Sequence, residues 1–327
     1  MENKLCISSR VRIARNIKGY PFCDELSDSQ ALGIIDEVRG ALGNEYSYIN
    51  FSHLSNEKKN VFVEQHLVSR EFAESDRKRA LFLSADRKVS VMVGEEDHIR
   101  IQAFSDGLNL NEALSIALTI EERLSEYVDF MFDERYGYIT KCPTNIGTGM
   151  RASVMMYLPA TFSQNKASYV ADALYKRGMT IRGLFGEGSS AVASLYQISN
   201  NITLGVTEDE IIKTVEETVT ELERAEEADQ RKIMESNTDY YIDDCMRALG
   251  ILRSAYLIRS SEAVSLISKL IFGTANTLIN SGKTIRELYD IMLSVLPYTL
   301  MENTDTRIGT ASERDKFRAE YLRKVFG

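Results

Sequence analysis

Strand-like patterning in this 327-residue chain stops at Leu204, and everything after it repeats at helical spacing. Before that point the runs KVSVMV, IRIQAF, RYGYIT, RASVMMYL, MTIRGLF and LYQIS alternate or cluster β-branched and aromatic residues, as half-buried strands do. Helical patterns lie between them. SQALGIIDEVRGAL is one; a longer run over 111–128 carries Leu114, Ala117, Leu118 and Leu124 on one side; SYVADALYKRG is closed by Gly178 in the manner of a helix C-terminus. The strands follow one another without regular alternation with helices. An α+β fold, an antiparallel-rich sheet flanked by helices, is therefore expected rather than a doubly wound parallel sheet.

The second part opens with GVTEDEIIKTVEETVTELERAEEADQRKIMES, where Thr207 and Glu210 spell a capping box and Ile211, Ile212, Val215, Val219 and Leu222 recur at helical spacing. Four or more helices are expected beyond it, and a boundary within 225–235 divides the chain into 1–228 and a helical domain, 229–327. SGKT at Ser281–Thr284 has the look of a phosphate-loop ending, but Thr277 stands where that loop requires glycine. Thr284 and Glu287 form a capping box instead, so Gly282 and Thr284 are expected to end one helix and begin the next.

A hydrophobic content of 44% with four prolines supports a packed core. The net charge of −9 argues against coating nucleic acid, which needs clustered Lys and Arg. Cys6, Cys23, Cys142 and Cys245 are scattered and are expected to be reduced thiols. The start of the chain has no apolar stretch of signal-peptide length, and Lys269 interrupts the most apolar helix. A cytoplasmic protein that neither spans nor binds a membrane is expected.

VSVMVGEEDHIRIQAF, residues 89–104, joins two strands by Gly94, Glu95, Glu96 and Asp97. A hairpin needs only Gly and one Asn or Asp, so three adjacent acids call for a cation nearby. Arginines recur on the strands. Arg10 and Arg12 share a face opposite Val11 and Ile13; Arg100 lies opposite Ile99 and Ile101; Arg151 and Arg182 belong to two further strands. Each alone reads as a surface residue with a buried stem. Five on one sheet would repel one another unless a dense anion neutralised them, and guanidinium forks suit phosphate oxygens.

The blocks SSRVRIAR, GEEDHIRI, CPTNIGTGMRASV and IRGLFGEGSS followed by YQISN resemble, in order, the signature blocks of the phosphagen (guanidino) kinase catalytic domain, over Ser8 to Asn200. The resemblance implies an antiparallel sheet that holds ATP, with Mg²⁺ on the nucleotide and no direct protein metal site. It places Ser9, Arg10, Arg12, His66, Arg100, Arg151, Ser153, Arg182 and Gly183 at the nucleotide. It makes Glu96 the carboxylate that holds the acceptor guanidinium and takes its proton, needed because a guanidinium with a pKa above about 12 is no nucleophile. Glu187 becomes the second carboxylate, and Cys142 and Glu95 further contacts to the guanidine. Asp97 and Glu95 are otherwise expected to stand behind the site or in solvent.

Two departures bear on the substrate. Small-molecule members carry an amino-terminal helical domain, whereas here seven residues precede Ser8, and Phe185 stands where those enzymes usually have arginine. The last helices contain RDKFRA, Arg314 to Ala319, similar to the motif with which the bacterial protein-arginine kinase branch binds phosphoarginine. Arg314 and Arg318 lie one helical turn apart, with Asp315 beside them. The resemblance implies ATP-dependent phosphorylation of protein arginines in stress response and protein quality control. It further implies a stress-gene repressor among the substrates, a Clp-type protease, a zinc-binding activator and a homodimer. The rival readings are a kinase of free arginine or a similar small guanidine, and a silent phosphoarginine-binding adaptor.

Overall fold

The computed structural model describes residues 4–163, 166–183, 193–302 and 310–327. Its strands are β1 (Cys6–Arg15), β2 (Ser47–Asn50), β3 (Ala80–Leu83), β4 (Val89–Val93), β5 (Ile99–Asp106), β6 (Phe132–Asp133), β7 (Gly137–Tyr138), β8 (Met150–Tyr157), β9 (Met179–Gly183) and β10 (Leu195–Asn200). Eight of them form one sheet in the order β2-β3-β4-β5-β1-β8-β10-β9, and β6 pairs with β7 in a separate hairpin. Every pairing described is antiparallel.

The helices are α1 (Asp28–Leu42), α2 (Asn56–Glu64), α3 (Arg70–Glu74), α4 (Leu110–Ser125), α5 (Pro159–Ser163), α6 (Ala167–Lys176), α7 (Glu208–Ser236), α8 (Thr238–Ser254), α9 (Ser260–Ala275), α10 (Ile285–Ser294), α11 (Pro297–Glu302) and α12 (Ala311–Phe326). No helix among the described residues is long and apolar enough to cross a membrane.

Period-two alternation decides which face of the sheet is covered. Val11, Ile13, Val89, Val91, Val93, Ile99, Ile101 and Ala103 all turn to one side, where they pack with Ile34, Val38, Leu114, Ala117, Val215 and Val219 of α1, α4 and α7. The opposite face is split. Beneath α2 and α3 lies a small cluster of Phe51, Phe72, Leu81 and Met92. At the other end, Ile7, Met155, Tyr157 and Leu195 join the core of α8, α9, α10 and α12, and the Tyr157 hydroxyl donates to Ser268 O at 2.8 Å. Between these two clusters the sheet face is open, and the arginines stand there.

Both expected capping boxes close as written, Thr207 with Glu210 and Thr284 with Glu287. Gly282 lies in the loop beyond α9 rather than at its end, because α9 already stops at Ala275 and the chain turns through Thr277 with φ 55°. RYGYIT is shorter as a strand than its composition suggested. Gly137 and Gly147 approach so closely that a Cβ on Gly137 would sit 2.6 Å from Gly147 O, and pairing is limited to a two-residue hairpin. The helix α7 runs unbroken to Ser236, and the chain turns at Asn237 into α8.

Candidate active site

Three adjacent strands set the site out in rows. Arg12 of β1 lies opposite Gln102 of β5 and Arg151 of β8; Arg10 lies opposite Phe104 and Ser153; Ser8 lies opposite Asp106 and Met155; Arg100 pairs with Ala14. Side chains two residues apart on a strand share a face, so Arg100, Arg12 and Arg151 lead along β1 to Arg10 and then to Ser8. A cleft of about 610 Å³ holds Arg12, Arg100, Arg151 and Arg182 together with Glu95 and Glu96. An adjoining cleft of about 470 Å³ contains Arg10, His66 and Ser153.

The guanidinium groups are crowded. Arg12 is held well below its ordinary pKa by burial and then by Arg10, Arg100 and Arg151. Arg10 is pulled down to about 10, first by burial and also by Arg100 and Arg151, against the opposite pull of Tyr289. Arg12 Nε is buried without a hydrogen-bond partner among the described residues. A buried donor left open costs about 1 to 3 kcal/mol, and an anion in the cleft would satisfy it. This donor set fits a polyphosphate.

The three adjacent acids sit in the β4–β5 turn, where the Gly94 amide donates to His98 O at 2.9 Å. They take three different roles. Glu95, 8% exposed, accepts from the Ser69 hydroxyl and from Arg100 Nη1, both at 2.5 Å. Burial alone would raise its pKa, but Arg100, Ser69 and the Glu96 amide bring it below the usual range. Glu96 has a side chain 41% exposed, with Oε2 3.6 Å from Arg100 Nη2. Its pKa is raised, by burial first and then by Asp97 and Glu95. Asp97 is fully buried and accepts from Asn16 Nδ2 at 2.6 Å and from the Lys141 amide at 2.8 Å. Thus one acid anchors an arginine, one faces the cleft with a raised proton affinity, and one ties the turn to β1 and to the segment carrying Cys142.

His98 completes this brace. Its Nδ1 accepts from the Ile17 amide at 2.9 Å, so Nε2 carries the proton and donates to Pro21 O at 2.7 Å. Asn16 Oδ1 receives the His98 amide at 2.9 Å. Asn16 and the buried Arg79, whose Nη1 donates to Glu71 O and Phe72 O at 2.9 and 2.6 Å, were missed by sequence reasoning. Neither belongs to a run that a spacing rule would single out.

The remaining expected residues divide. Cys142 lines the arginine cleft with its Sγ 3.1 Å from Thr144 Oγ1. Ser153 Oγ donates to Arg10 O at 3.4 Å. His66 is half-buried beside Arg10 at φ 59°, with its pKa lowered to about 4 by burial and by that arginine. Gly183 ends β9 opposite Tyr196. Ser9 is a correction: it points to the core face, accepts from the Asn109 amide at 2.9 Å and donates to Gly107 O at 2.8 Å, and Ser8 occupies the cleft face instead. Glu95 likewise is engaged with Arg100 rather than open to a guanidine. Glu187 and Phe185 lie outside the described residues.

In α12, Arg318 does not stand beside Arg314 as an exposed fork. It is 2% exposed, donating from Nε to Val295 O at 2.8 Å and from Nη1 to Ile258 O at 2.9 Å and Asp315 Oδ1 at 2.7 Å. Arg314 is half-buried and Asp315 partly open.

Residues 34–229 match the family described as ATP:guanido phosphotransferase, C-terminal catalytic domain. Residues 239–327 match the protein-arginine kinase McsB C-terminal domain. A protein-arginine kinase of Clostridium acetobutylicum is 39% identical over 99% of this chain and 96% of its own length. One of Pelotomaculum thermopropionicum is 37% identical over 99% of this chain and 93% of its own. Among solved structures, lombricine kinase has a TM-score of 0.61 at 24% identity, covering 70% of this chain and 68% of its own. The duplicated taurocyamine kinase of Schistosoma mansoni with transition-state analogue components has 0.62 at 22%, covering 85% of this chain and 47% of its own. The two solved structures share the fold, and the closer relatives carry the activity: the chain belongs to the protein-arginine kinases of the ATP:guanido phosphotransferase family.

Proposed function

We propose that the arginine cleft holds the triphosphate of ATP and that Glu96 is the base for phosphoryl transfer to the guanidine of a protein arginine. The observation that carries this reading is a single carboxylate of raised pKa, partly exposed, at the edge of a cleft lined by Arg12, Arg100, Arg151 and Arg182. The acceptor nitrogen gives its proton to Glu96 and bonds to the γ-phosphorus. The bond from that phosphorus to the β,γ-bridging oxygen breaks, and ADP leaves. The arginines stabilise charge spread over the phosphoryl oxygens. Mg²⁺, brought on the nucleotide, supplies further neutralisation. Glu187, by the family pattern, closes on the guanidinium from the other side, and Cys142 is positioned to touch it.

In the helical region, Arg314 is the candidate phosphate contact for phosphoarginine and Asp315 the candidate guanidinium contact. Arg318 acts through Asp315, as the buried strut that orients it. The family resemblance further supports a homodimer in the cytoplasm that marks proteins during stress. A stress-gene repressor would be among its substrates, with a Clp-type protease and a zinc-binding activator as partners. The test is incubation with ATP, Mg²⁺ and either an unstructured arginine-rich protein or free arginine, read by mass spectrometry under conditions that preserve the acid-labile P–N bond. Phosphoarginine on the protein alone is expected. Product from free arginine alone would return the chain to the small-molecule branch, and nucleotide binding without any transfer would favour the adaptor.

A further inference from the structure

The order of residues along β1 gives the bound nucleotide a direction. The γ-phosphoryl group must face Glu96, whose Oε2 lies 3.6 Å from Arg100 Nη2, and Arg12 lines the same cleft. Arg10 lies one row further, and Ser8, Asp106 and Met155 one row beyond it. From the Arg100 row to the Asp106 row is six residues of β5, about 20 Å at about 3.3 Å per residue. A triphosphate lying on the arginines therefore sends its sugar and base past Arg10 into the adjoining cleft.

That second cleft is not enclosed by the sheet alone. Its floor is Ser8, Phe104, Ser153 and Met155, and its far wall is α10, through Arg286, Tyr289, Leu293 and Ser294. Arg286 bridges wall to floor, with Nη1 2.9 Å from Asp106 Oδ1 and Nε 3.1 Å from Asp290 Oδ2. Asp106 also meets Lys88 Nζ at 3.2 Å. Tyr289 is 5% exposed beneath the Arg286 guanidinium, which lies 5.8 Å from its ring centroid. Its hydroxyl titration is pushed up to about 12, chiefly by burial, and interacts with Arg10. Arg10 in turn lies 5.9 Å from the Phe104 ring centroid.

We propose that α10 of the helical region is the second wall of the nucleoside half of the site, so that ribose and base lie between the β1–β5–β8 floor and α10, and that the Arg286 to Asp106 bridge sets the width of that slot. The inference rests on the reading of the arginine cleft as the triphosphate site. Asp106 and Asp290, both paired to Arg286, are the acceptors within reach of sugar hydroxyls, and Phe104 and Leu293 supply apolar surface for a base. Nucleotide binding therefore depends on where the helical region sits against the sheet.

The experiment compares ATP with inorganic tripolyphosphate, which carries the phosphates without the nucleoside. Binding of each with Mg²⁺ is measured by calorimetry on the full chain, on Arg286→Ala and on Ser294→Trp, which places an indole in the slot. Loss of ATP affinity by about tenfold or more in both variants, with tripolyphosphate binding within about twofold of wild type, is expected. Equal losses for the two ligands would overturn the proposal by assigning α10 to the phosphates. Unchanged ATP binding in both variants would overturn it as well. A wild-type chain that binds neither ligand overturns the triphosphate reading, and this inference with it.

Discussion

Arg12 and Arg151 stand directly opposite one another across the β1–β8 ladder. Like charges in directly paired positions destabilise a sheet, and Arg10 and Arg100 add to the same crowding around Arg12. The sheet tolerates them because its other face is fully packed and because Glu95 neutralises Arg100 from the β4–β5 turn. The nucleotide-free protein therefore holds a self-repelling array whose relief is available to a bound polyanion.

Replacing one member of that pair separates stability from binding. Arg151→Met keeps an apolar stem on β8 and removes the opposed charge. Wild type at 100 times its dissociation constant for ATP should gain about 2.7 kcal/mol by mass action, and the variant should gain almost none. A variant stabilised by ATP as much as wild type would remove Arg151 from the nucleotide site.

Glu96 carries a raised pKa in the folded chain, so on this group alone stability is fully present below the unfolded value and lost as pH rises through the folded one. At neutral pH the charged side chain is a net cost. Glu96→Gln is therefore expected to fold at least as stably as wild type at pH 7 and to bind ATP as well. Phosphoryl transfer should fall by roughly 100-fold or more, the usual loss with a positioned base. The wild-type pH–rate profile should rise along a limb centred above the ordinary glutamate value of about 4.3. Equal turnover in Glu96→Gln would end its assignment as the base.

His66 runs the other way. Its pKa is lowered to about 4 by burial and Arg10, so the stability linked to its neutral form is present above the unfolded value of about 6.5 and is lost as pH falls through about 4. His66→Asn, an exchange that the positive φ of 59° tolerates, should flatten the pH dependence of the unfolding midpoint between pH 6.5 and 4. An unaltered slope would show that other groups govern acid unfolding.

Period-two spacing made the central strands legible, and with them the face that Arg10, Arg12 and Arg100 share. The two edge-side strands β2 and β3 were not, since SYIN and ALFL are four residues long and too short to alternate visibly. Buried acids were harder still. Glu226 looks like one more exposed charge in the acidic run of α7, yet it is 0% exposed and accepts from the Ala160 and Thr161 amides at 2.7 and 2.8 Å, capping the start of α5. Ser8 was legible by the period-two rule, since alternation puts it, and not Ser9, on the face of Arg10 and Arg12.

The pair Arg314 and Arg318 offers the sharpest contrast between motif and fold. One turn of helix separates them, which on a bare helix makes two equivalent prongs, but α12 lies with Arg318 against the core of the helical region. Three hydrogen bonds, to Val295 O, Ile258 O and Asp315 Oδ1, absorb its guanidinium. Arg318→Ala leaves two inward carbonyls and a carboxylate without their donor, at a cost of about 2 to 4 kcal/mol by the usual penalty for stranded polar groups. It should lower the urea midpoint and weaken phosphoarginine binding together. Arg314→Ala removes a half-buried prong with no side-chain hydrogen bond or ion pair among the described residues, and should leave stability within about 0.5 kcal/mol. Phosphoarginine binding, measured by calorimetry, should nevertheless fall in that variant. If Arg314→Ala binds phosphoarginine as well as wild type, the motif serves only to hold α12 in place, and the phosphate contact must be sought on another face of the helical region.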